Sequence, residues 1–295
     1  MAKRLRDYEL LQTYPVVIVH VMAVIGLVMA AMGNVPWEAW ALCFTLYWVR
    51  MWGVTAGYHR YFSHRTFKTS RVFQFIIAIV AQSSAQRGVL WWAAHHRDHH
   101  KFSDQERDVH SPIQHGLVHA QIGWIYDHNG KTDYARVKDM CKFPELVVLN
   151  KVWVVPTILL AVLCTAWLGW AGLLIGFGLN TVLVWHGTFT INSLSHVWGN
   201  TRYETGDTSR NNWILAIITM GEGWHNNHHH FMNSARQGFF WWEFDMTYYT
   251  LKALSWVGIV WDIKAPPARV YGADLEAPAS ARDVKAESVS SIEAA

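Results

Sequence analysis

Two long stretches without a charged residue constrain the fold of this chain more than any other feature. Twenty-eight uncharged residues separate Glu9 from Glu38, and fifty separate Lys151 from Arg202. A helix needs about 20 apolar residues to cross a bilayer, so the first stretch has room for one spanning helix and the second for two helices and a turn. The sequence therefore predicts an integral membrane protein rather than a soluble globule.

Four membrane-spanning helices are predicted in and beside these stretches. The first covers residues 15–33, and the second starts near residue 36 and continues toward residue 55, with Arg50 deep inside it. The long stretch is expected to hold two helices that turn at residues 168–172, where glycines and a tryptophan favour a turn at the membrane surface. The expected fold is an all-α membrane protein.

The distribution of basic residues predicts how these helices are oriented. Lys3, Arg4 and Arg6 precede the first span, 13 basic residues fall in residues 58–151, and eight follow Asn200. Because cytoplasmic segments carry an excess of Lys and Arg, both termini and the central segment are expected to be cytoplasmic. The net charge of only +3 gives no reason to expect a nucleic-acid partner.

Histidine is the residue type that points to chemistry, and the chain has 17 of them. Residues 96–100 read HRDHH and residues 225–229 read HNNHH, so in both the histidines stand at i, i+3 and i+4, within about 100 degrees on a helix. Residues 59–64 read HRYFSH, and His196 stands four residues after Asn192. Eight or nine imidazoles exceed what one ion can use, so the pattern predicts a two-metal site just outside the spans.

The other histidines are expected to be structural, since a single histidine near a membrane interface usually forms a hydrogen bond rather than a metal bond. They are His20, His95, His110, His115, His119, His128, His186 and His230. Cys43, Cys141 and Cys164 are odd in number and far apart, which supports neither a disulfide framework nor a thiolate metal site.

Four motifs, TAGYHRYFSH, HHRDHHKFSD, NSLSHVWG and GEGWHNNHHHF, occur in this order within residues 40–262. In these motifs the chain resembles the membrane-bound fatty acyl desaturases, and among them the stearoyl-type acyl-CoA enzymes that act near the ninth carbon. The resemblance implies four spanning helices and a cytoplasmic helical cap with a di-iron site, in one domain over residues 1–272. Residues 273–295 are rich in Ala, Ser, Glu and Asp without periodicity, so their composition predicts a disordered polar tail. The nine histidine ligands that it implies are His59, His64, His96, His99, His100, His196, His225, His228 and His229.

The implied reaction explains why such a site would be needed. An unactivated methylene C–H bond has no acidity for a base to exploit, so it must be broken by an oxidant made from O2 at a redox metal, which excludes zinc and favours iron. The resemblance implies that two electrons and O2 convert a saturated chain into a cis alkene, between carbons 9 and 10, and that Asn192 holds a metal-bound water. Glu222, Asp104 and Asp108 stand close to the histidines and could orient their N–H groups, although the two aspartates fit ordinary solvated carboxylates equally well.

Six further positions are implied to shape the acyl tunnel. Gln86, Trp92 and Thr188 match family positions that bend the acyl chain, and Phe189 replaces the usual tryptophan beside them. Tyr47 and Met51 match positions that close the far end of the tunnel, although residues at this helical spacing could equally pack within the helical bundle. They recur at four-residue intervals with His59, so they share one stripe of the second span.

Two departures leave the acyl carrier open. Ala94 and His95 stand where the animal enzymes carry an Arg-Asp pair implicated in holding coenzyme A. The substrate could therefore be a thioester of coenzyme A or of acyl carrier protein, or a membrane lipid ester.

The electron donor is expected to be a separate protein. The sequence contains no HPGG-type haem segment, cysteine-rich iron–sulfur motif or GxGxxG. A ferredoxin or a cytochrome b5-like protein, with its reductase, is the expected partner on the cytoplasmic face.

Three alternative functions fit parts of the pattern. An acyl or alkane hydroxylase or an acetylenase would use the same histidines, and product analysis separates them from a desaturase. A histidine-rich metal transporter should place its ligands inside the spans rather than outside them. An inactive lipid-binding relative would not need all nine histidines.

Overall fold

The structure, a computed structural model, describes residues 2–127 and 130–272, with the side chains of residues 14–126 and 130–272. The predicted tail, the side chains of the basic amino-terminal residues and His128 lie outside the described residues. Most of the described chain is helical.

The amino-terminal part of the described chain contains four α-helices. They are α1 (Ala2–Ala31), α2 (Trp37–Trp52), α3 (Arg71–Ser83) and α4 (Val89–Phe102). Gly33, at a φ of +75°, follows α1, and Pro36 precedes α2. Helix α2 continues directly into a wider π-helical segment, Gly53–Ser63, in which every residue is buried.

Short helices and turns connect α4 to the long apolar stretch. They are α5 (Pro112–His115), a π-helical turn (His119–Gly123) that runs into α6 (Trp124–Asp127), a 3-10 turn (Tyr134–Val137) and α7 (Pro144–Lys151).

The remaining elements complete the helical core and its cap. They are α8 (Val154–Ala171), a π-helical segment (Gly172–Leu179), α9 (Asn180–Asn192), a 3-10 turn (Leu194–His196), α10 (Trp213–Ile218), α11 (His225–His230), α12 (Met246–Trp256) and a 3-10 turn (Ala268–Tyr271). Two short antiparallel strands, β1 (Lys68–Thr69) and β2 (Val260–Trp261), pair Lys68 with Trp261.

The apolar stretch from Val154 to His196 folds back on itself. Leu168 and Gly169 leave the helical conformation, and Gly169 takes a φ of +56°. Thr157 and Trp185 both donate hydrogen bonds of 2.9 Å to backbone carbonyls at the carboxyl end of α3. A straight helix would hold these two residues about 42 Å apart. The stretch is therefore a helical hairpin, and its break lies within the turn predicted from the sequence.

Two described segments are long and apolar enough to cross a membrane by length and composition, Tyr14–Ala31 and the hairpin Val154–His196. Helix α2 is only 16 residues long because the π-helical segment begins at Gly53. Four spans therefore remain a prediction.

Arg50, the charged residue inside the predicted second span, is fully buried by protein. Its guanidinium donates to the side chains of Asn180 and Thr181 on α9 and, over 2.6 Å, to the backbone carbonyl of Ser83. The arginine thus joins α2 to its neighbouring helices and does not face outward.

Candidate metal centre

Four elements bring nine imidazoles into one buried space. Helices α4 and α11 each carry an HxxHH run, the π-helical segment carries His59 and ends at His64, and the 3-10 turn after α9 carries His196. These are the nine histidines singled out from the sequence. The structure separates them into two groups.

The first group, the five-histidine group, has its ring nitrogens within 4.8 Å of one another. It consists of His59, His64, His96, His100 and His228. Its Nε2 atoms approach one another closely: 2.8 Å between His64 and His96, 3.0 Å between His96 and His100, and 2.9 Å between His59 and His228. Nitrogen lone pairs that converge in this way repel one another unless a cation lies among them, so the geometry suits a metal ion.

The second group, the four-histidine group, lies beside it and meets the same distance criterion. It consists of His99, His196, His225 and His229, and the Nε2 atoms of His196 and His225 are 3.1 Å apart. Four imidazoles leave space around an ion for a further ligand.

The two HxxHH runs contribute to the groups in opposite ways. In α4 the outer pair, His96 and His100, enters the five-histidine group and His99 enters the other. In α11 the outer pair, His225 and His229, enters the four-histidine group and His228 crosses to the five-histidine group. Each helix therefore supplies both groups, which ties the groups together.

Three carboxylates orient the four-histidine group through Nδ1. They are Asp108 with His99 (3.0 Å), Asp104 with His196 (3.0 Å) and Asp207 with His229 (2.5 Å). A carboxylate that accepts the Nδ1–H fixes the tautomer whose Nε2 lone pair is available to a metal. Asp104 and Asp108 were candidates for this role from their nearness to histidines in sequence, although that nearness fitted solvated carboxylates equally well. Asp207 was missed, because it stands in an irregular loop 22 residues before its partner.

The five-histidine group is supported by a different network. The Nδ1 of His59 pairs with Glu222, and Glu222 also pairs with Arg60, whose Nη2 lies 3.1 Å from Oε1. The same guanidinium bonds Asp245 over 2.9 Å. All four side chains are buried. The carboxylate beside His59 is thus offset by an arginine.

The imidazoles of the five-histidine group are held mostly in the neutral form. Burial, followed by the neighbouring histidines, lowers the pKa of His64, His96, His100 and His228 well below 6.5. Neutral imidazole is the form that binds metals.

In the four-histidine group, neighbouring carboxylates oppose the effect of burial on the imidazole pKa values. Burial lowers the pKa of His225 well below its usual value, but at His99 the effect of burial is outweighed by Asp108, which raises the pKa. Burial lowers the pKa of His229 to about 4 in spite of Asp207. Burial would raise the pKa of Asp207, but its hydrogen bond with His229 outweighs that effect and holds the pKa below the usual range. The group therefore holds negative charge next to its imidazoles.

A cavity of about 480 Å³ reaches the cluster at His96 and His99. The residues predicted to bend the acyl chain line it, together with the predicted water-holding residue: Gln86, Trp92, Thr188, Phe189 and Asn192. The Gln86 amide donates a 2.9 Å hydrogen bond to Thr188 Oγ1. The structure thus brings five predicted residues to one cavity wall.

Tyr47 and Met51 lie elsewhere and are not among the described residues that line this cavity. Both pack against Gly187 of α9. A Cβ added to that glycine would stand 2.7 Å from the Tyr47 hydroxyl and 2.9 Å from the Met51 methyl. The Tyr47 hydroxyl also donates a 2.7 Å hydrogen bond to the carbonyl of Ile218. Their predicted position at the end of the tunnel stays a prediction.

Several other histidines lie outside the nine. His230 stacks on Tyr203 with ring centroids 4.0 Å apart, and His95 stacks on Trp91 at 3.9 Å. His110 is different, because its ring lies 4.6 Å from that of His99 and its Nδ1 lies 3.3 Å from Asp108. No regular spacing along the chain relates His110 to the other histidines, so its place beside the cluster was not predictable.

A comparison with known protein families agrees with this arrangement of histidines. The profile of the fatty acid desaturase family matches residues 36–257. The chain belongs to the fatty acid desaturase family. Desaturases are oxidoreductases, so the family and the enzyme class predicted from the motifs are confirmed.

Relatives of this desaturase act at different positions and on different carriers. It is 36% identical to an acyl-CoA C20 Delta5-desaturase of Anemone leveillei over 255 residues, 84% of this chain and 81% of that protein. It is 39% identical to an sn-1 stearoyl-lipid 9-desaturase of Synechocystis sp. over 236 residues, 78% of this chain and 73% of that protein. It is 36% identical to a hex-5-enoyl-[acyl-carrier protein] acetylenase of Moorena producens over 284 residues, 90% of this chain and 83% of that protein.

Proposed function

We propose that this desaturase introduces a cis double bond between carbons 9 and 10 of a saturated acyl chain, using O2 and two electrons, at two iron ions. The observation that carries the proposal is the convergence of nine imidazoles in two groups at one end of a cavity. The stearoyl-lipid 9-desaturase among the relatives supports the position of the double bond.

The donor atoms present fit two iron ions. The five-histidine group would hold one ion and the four-histidine group the other, each through Nε2 atoms. When bound, iron would supply the electron transfer and O2 chemistry that side chains lack. Asn192 lines the same cavity as His99 of the four-histidine group. In that position its amide would hold a water molecule at the smaller group.

The chain's own residues would hold and bend the acyl group. Gln86 and Thr188 line the cavity and are joined by a hydrogen bond, and the Trp92 ring stacks on that of His96 with centroids 4.8 Å apart. A chain that passes between them has to turn beneath the imidazoles. Phe189 and the other apolar wall residues would exclude water from that turn. Tyr47 and Met51, which pack against Gly187, would close the end of the tunnel.

The proposed membrane arrangement has four spans: α1, α2 and the two arms of the hairpin formed by α8 and α9. Both termini and the histidine cluster would lie on the cytoplasmic side. Apolar side chains on the outer faces of α1 and α8 are exposed, among them Val24 and Leu163. A bilayer would cover them. The protein-covered Arg50 is compatible with a span at α2.

The two electrons would come from a separate protein, a ferredoxin or a cytochrome b5-like protein, with its reductase. It would dock on the cytoplasmic face, where basic residues between Arg97 and Lys142 cluster in the sequence. Opposite charge on the donor would favour its association there.

An acetylenase is a second candidate. The relative from Moorena producens shares 36% identity over 90% of this chain and is named as an acetylenase. Its substrate already contains a double bond. The same histidines would serve both reactions.

Fatty-acid analysis tests the proposal. The protein is expressed in a host that cannot make unsaturated fatty acids, and total fatty acids are analysed by gas chromatography with mass spectrometry. A cis-9 monounsaturated chain is the expected product, absent from cells that carry His99→Ala. Hydroxylated or acetylenic products, or no new product, would contradict the proposal.

A further inference from the structure

The cavity beside the histidine cluster is partly open to the outside, and residues of α1 and of the first turns of α8 contribute to its lining. Val16 and Val19 of α1 and Val154 and Ile158 of α8 line the cavity here. Val154 and Ile158 are also 40% and 57% exposed on the outside of the protein. Val154 and Ile158 therefore border both the cavity and the outer surface, whereas Val16 and Val19 are buried, which is the arrangement expected of an opening beside the first turns of α8.

The surface around this opening is apolar. Val17 and Ile18 flank it on α1, and Val155 and Leu159 flank it on α8, all of them exposed. A continuous apolar surface of this kind is uncommon on proteins that face water and is typical of a surface that faces lipid. In the proposed membrane arrangement the opening therefore leads into the bilayer.

The rim of the opening carries the groups expected at headgroup depth. The Arg87 guanidinium lies over the rings of Trp91 and Trp153, 5.4 Å from each centroid, and all three residues line the cavity. Trp153 stands directly before α8. Tryptophan prefers the interface between headgroups and acyl chains, and arginine near a helix end reaches the same depth. A chain could therefore pass the opening while its ester stays among the headgroups.

The charges that line the cavity are balanced. Arg87 and Arg107 are matched by Asp98 and Asp108, and Arg107 lies 3.2 Å from Asp98. Coenzyme A carries several phosphate charges, and sites for such anions present a surplus of cations. A neutral or zwitterionic glycerolipid needs no surplus.

We propose that the substrate is an acyl chain esterified to a membrane glycerolipid and that it enters sideways between α1 and α8. This inference rests on the proposed function, to which it adds the carrier and the route. Two C–H bonds on adjacent carbons break and a C=C bond forms. Two electrons from the substrate and two from the donor protein reduce O2, which takes up the two hydrogens and two further protons and leaves as two waters. The ester bond stays intact.

A labelling experiment identifies the carrier. Cells of the same host, expressing the protein and supplied with unlabelled unsaturated fatty acid, are labelled with [13C]acetate without oxygen, so that labelled saturated chains accumulate in phospholipid. Fatty-acid synthesis is then blocked with an inhibitor, and air is admitted to start the reaction. Labelled monounsaturated chains should appear in intact phospholipid at ten times or more the level in cells that carry His99→Ala.

The opposite result would place the substrate on a thioester carrier. If the labelled phospholipid stays saturated, although the same cells make unsaturated chains when synthesis continues in air, the enzyme acts on a thioester and this inference is wrong. If the cells make no unsaturated chains under either regime, the proposed function fails and the inference fails with it.

A pair of variants tests the route. Ile158→Trp would fill the opening, so desaturation in the same cells should fall at least fivefold while the iron content is unchanged. Leu159→Trp is the matched control, since Leu159 is 54% exposed on the same helix but is not among the described lining residues. Its activity should be unchanged. Equal activity of the two variants would overturn entry at this position.

Discussion

The two histidine groups hold similar imidazoles but are stabilised in different ways. In the four-histidine group, three imidazoles each bond a buried carboxylate: Asp104, Asp108 and Asp207. In the five-histidine group, Glu222 pairs with His59 and is offset by the buried Arg60. Negative charge that can compensate a divalent ion is therefore concentrated at the smaller group. The larger group relies on the number of its ligands and on an ion-pair network that also holds the fold together.

The largest expected effect comes from removing one imidazole from either group. His99→Ala and His228→Ala should each lower desaturation by more than about 100-fold, because losing a ligand should exceed the 10–100-fold typical of losing a ligand's partner. Product formation in the expression host measures it. His230→Ala is the control, since this neighbour stacks on Tyr203 and lies outside both groups. Near-normal turnover in either variant would remove that group from the mechanism.

Glu222→Gln should affect folding before it affects metal binding. It leaves the buried Arg60 with Asp245 as the carboxylate partner, and breaking a buried ion pair typically costs about 3–5 kcal/mol. The yield of folded, monodisperse protein and its thermal unfolding midpoint in detergent should both fall. An unchanged midpoint would show that this network does not stabilise the fold.

Asp207→Asn should affect metal binding more than folding. It removes the negative charge from the acceptor of the His229 Nδ1–H without leaving a cation unpaired, so iron affinity should fall by up to about 10–100-fold with a smaller loss of stability. Competition with a chelator measures the affinity, and the thermal midpoint is compared with that of Glu222→Gln. If both variants lose stability and iron in the same proportion, the proposed difference between the groups is wrong.

Asn192→Ala should affect activity more than iron content. Asn192 lines the same cavity as His99 and belongs to neither group, so its loss should leave all nine imidazoles in place. Turnover and bound iron are measured on the same preparation. Equal losses of both would mean that Asn192 binds the metal directly.

Met51→Ala tests whether the bound acyl chain extends past the five-histidine group. His59 of that group follows Met51 along the same continuous helix. A shorter side chain beside Gly187 should shift preference toward acyl chains two or more carbons longer, with iron content unchanged. Product profiles from saturated chains of 14 to 20 carbons measure it. Phe44→Ala is the control: this side chain of the same helix is 66% exposed, so its loss should leave the product profile unchanged. An unchanged profile for Met51→Ala would place the tunnel end elsewhere.

Helical periodicity predicted which histidines meet, but not how they divide. Residues i and i+4 lie about 40 degrees apart on a helix, while i+3 and i+4 differ by about 100 degrees, so each HxxHH run must point in two directions. Which direction faces which group depends on how α4 and α11 pack, and the two helices prove to be used in opposite senses.

Some features of the fold were predictable from the local sequence, and others depend on contacts between distant segments. The glycine-rich turn at Leu168–Gly169 was predictable because Gly169 accepts a positive φ at little cost. Asp207 and His110 were not, because irregular loops carry them to the site. The early end of α2 was also hidden, since hydropathy does not distinguish an α-helix from its π-helical continuation.

The most direct test of two cooperating groups is the number of irons per chain. The protein is purified without chelators, and its iron and zinc are measured by elemental analysis alongside turnover. We expect about two irons per active chain, falling toward about one in both His99→Ala and His228→Ala. Full activity with one iron per chain, or with zinc in place of iron, would contradict the account.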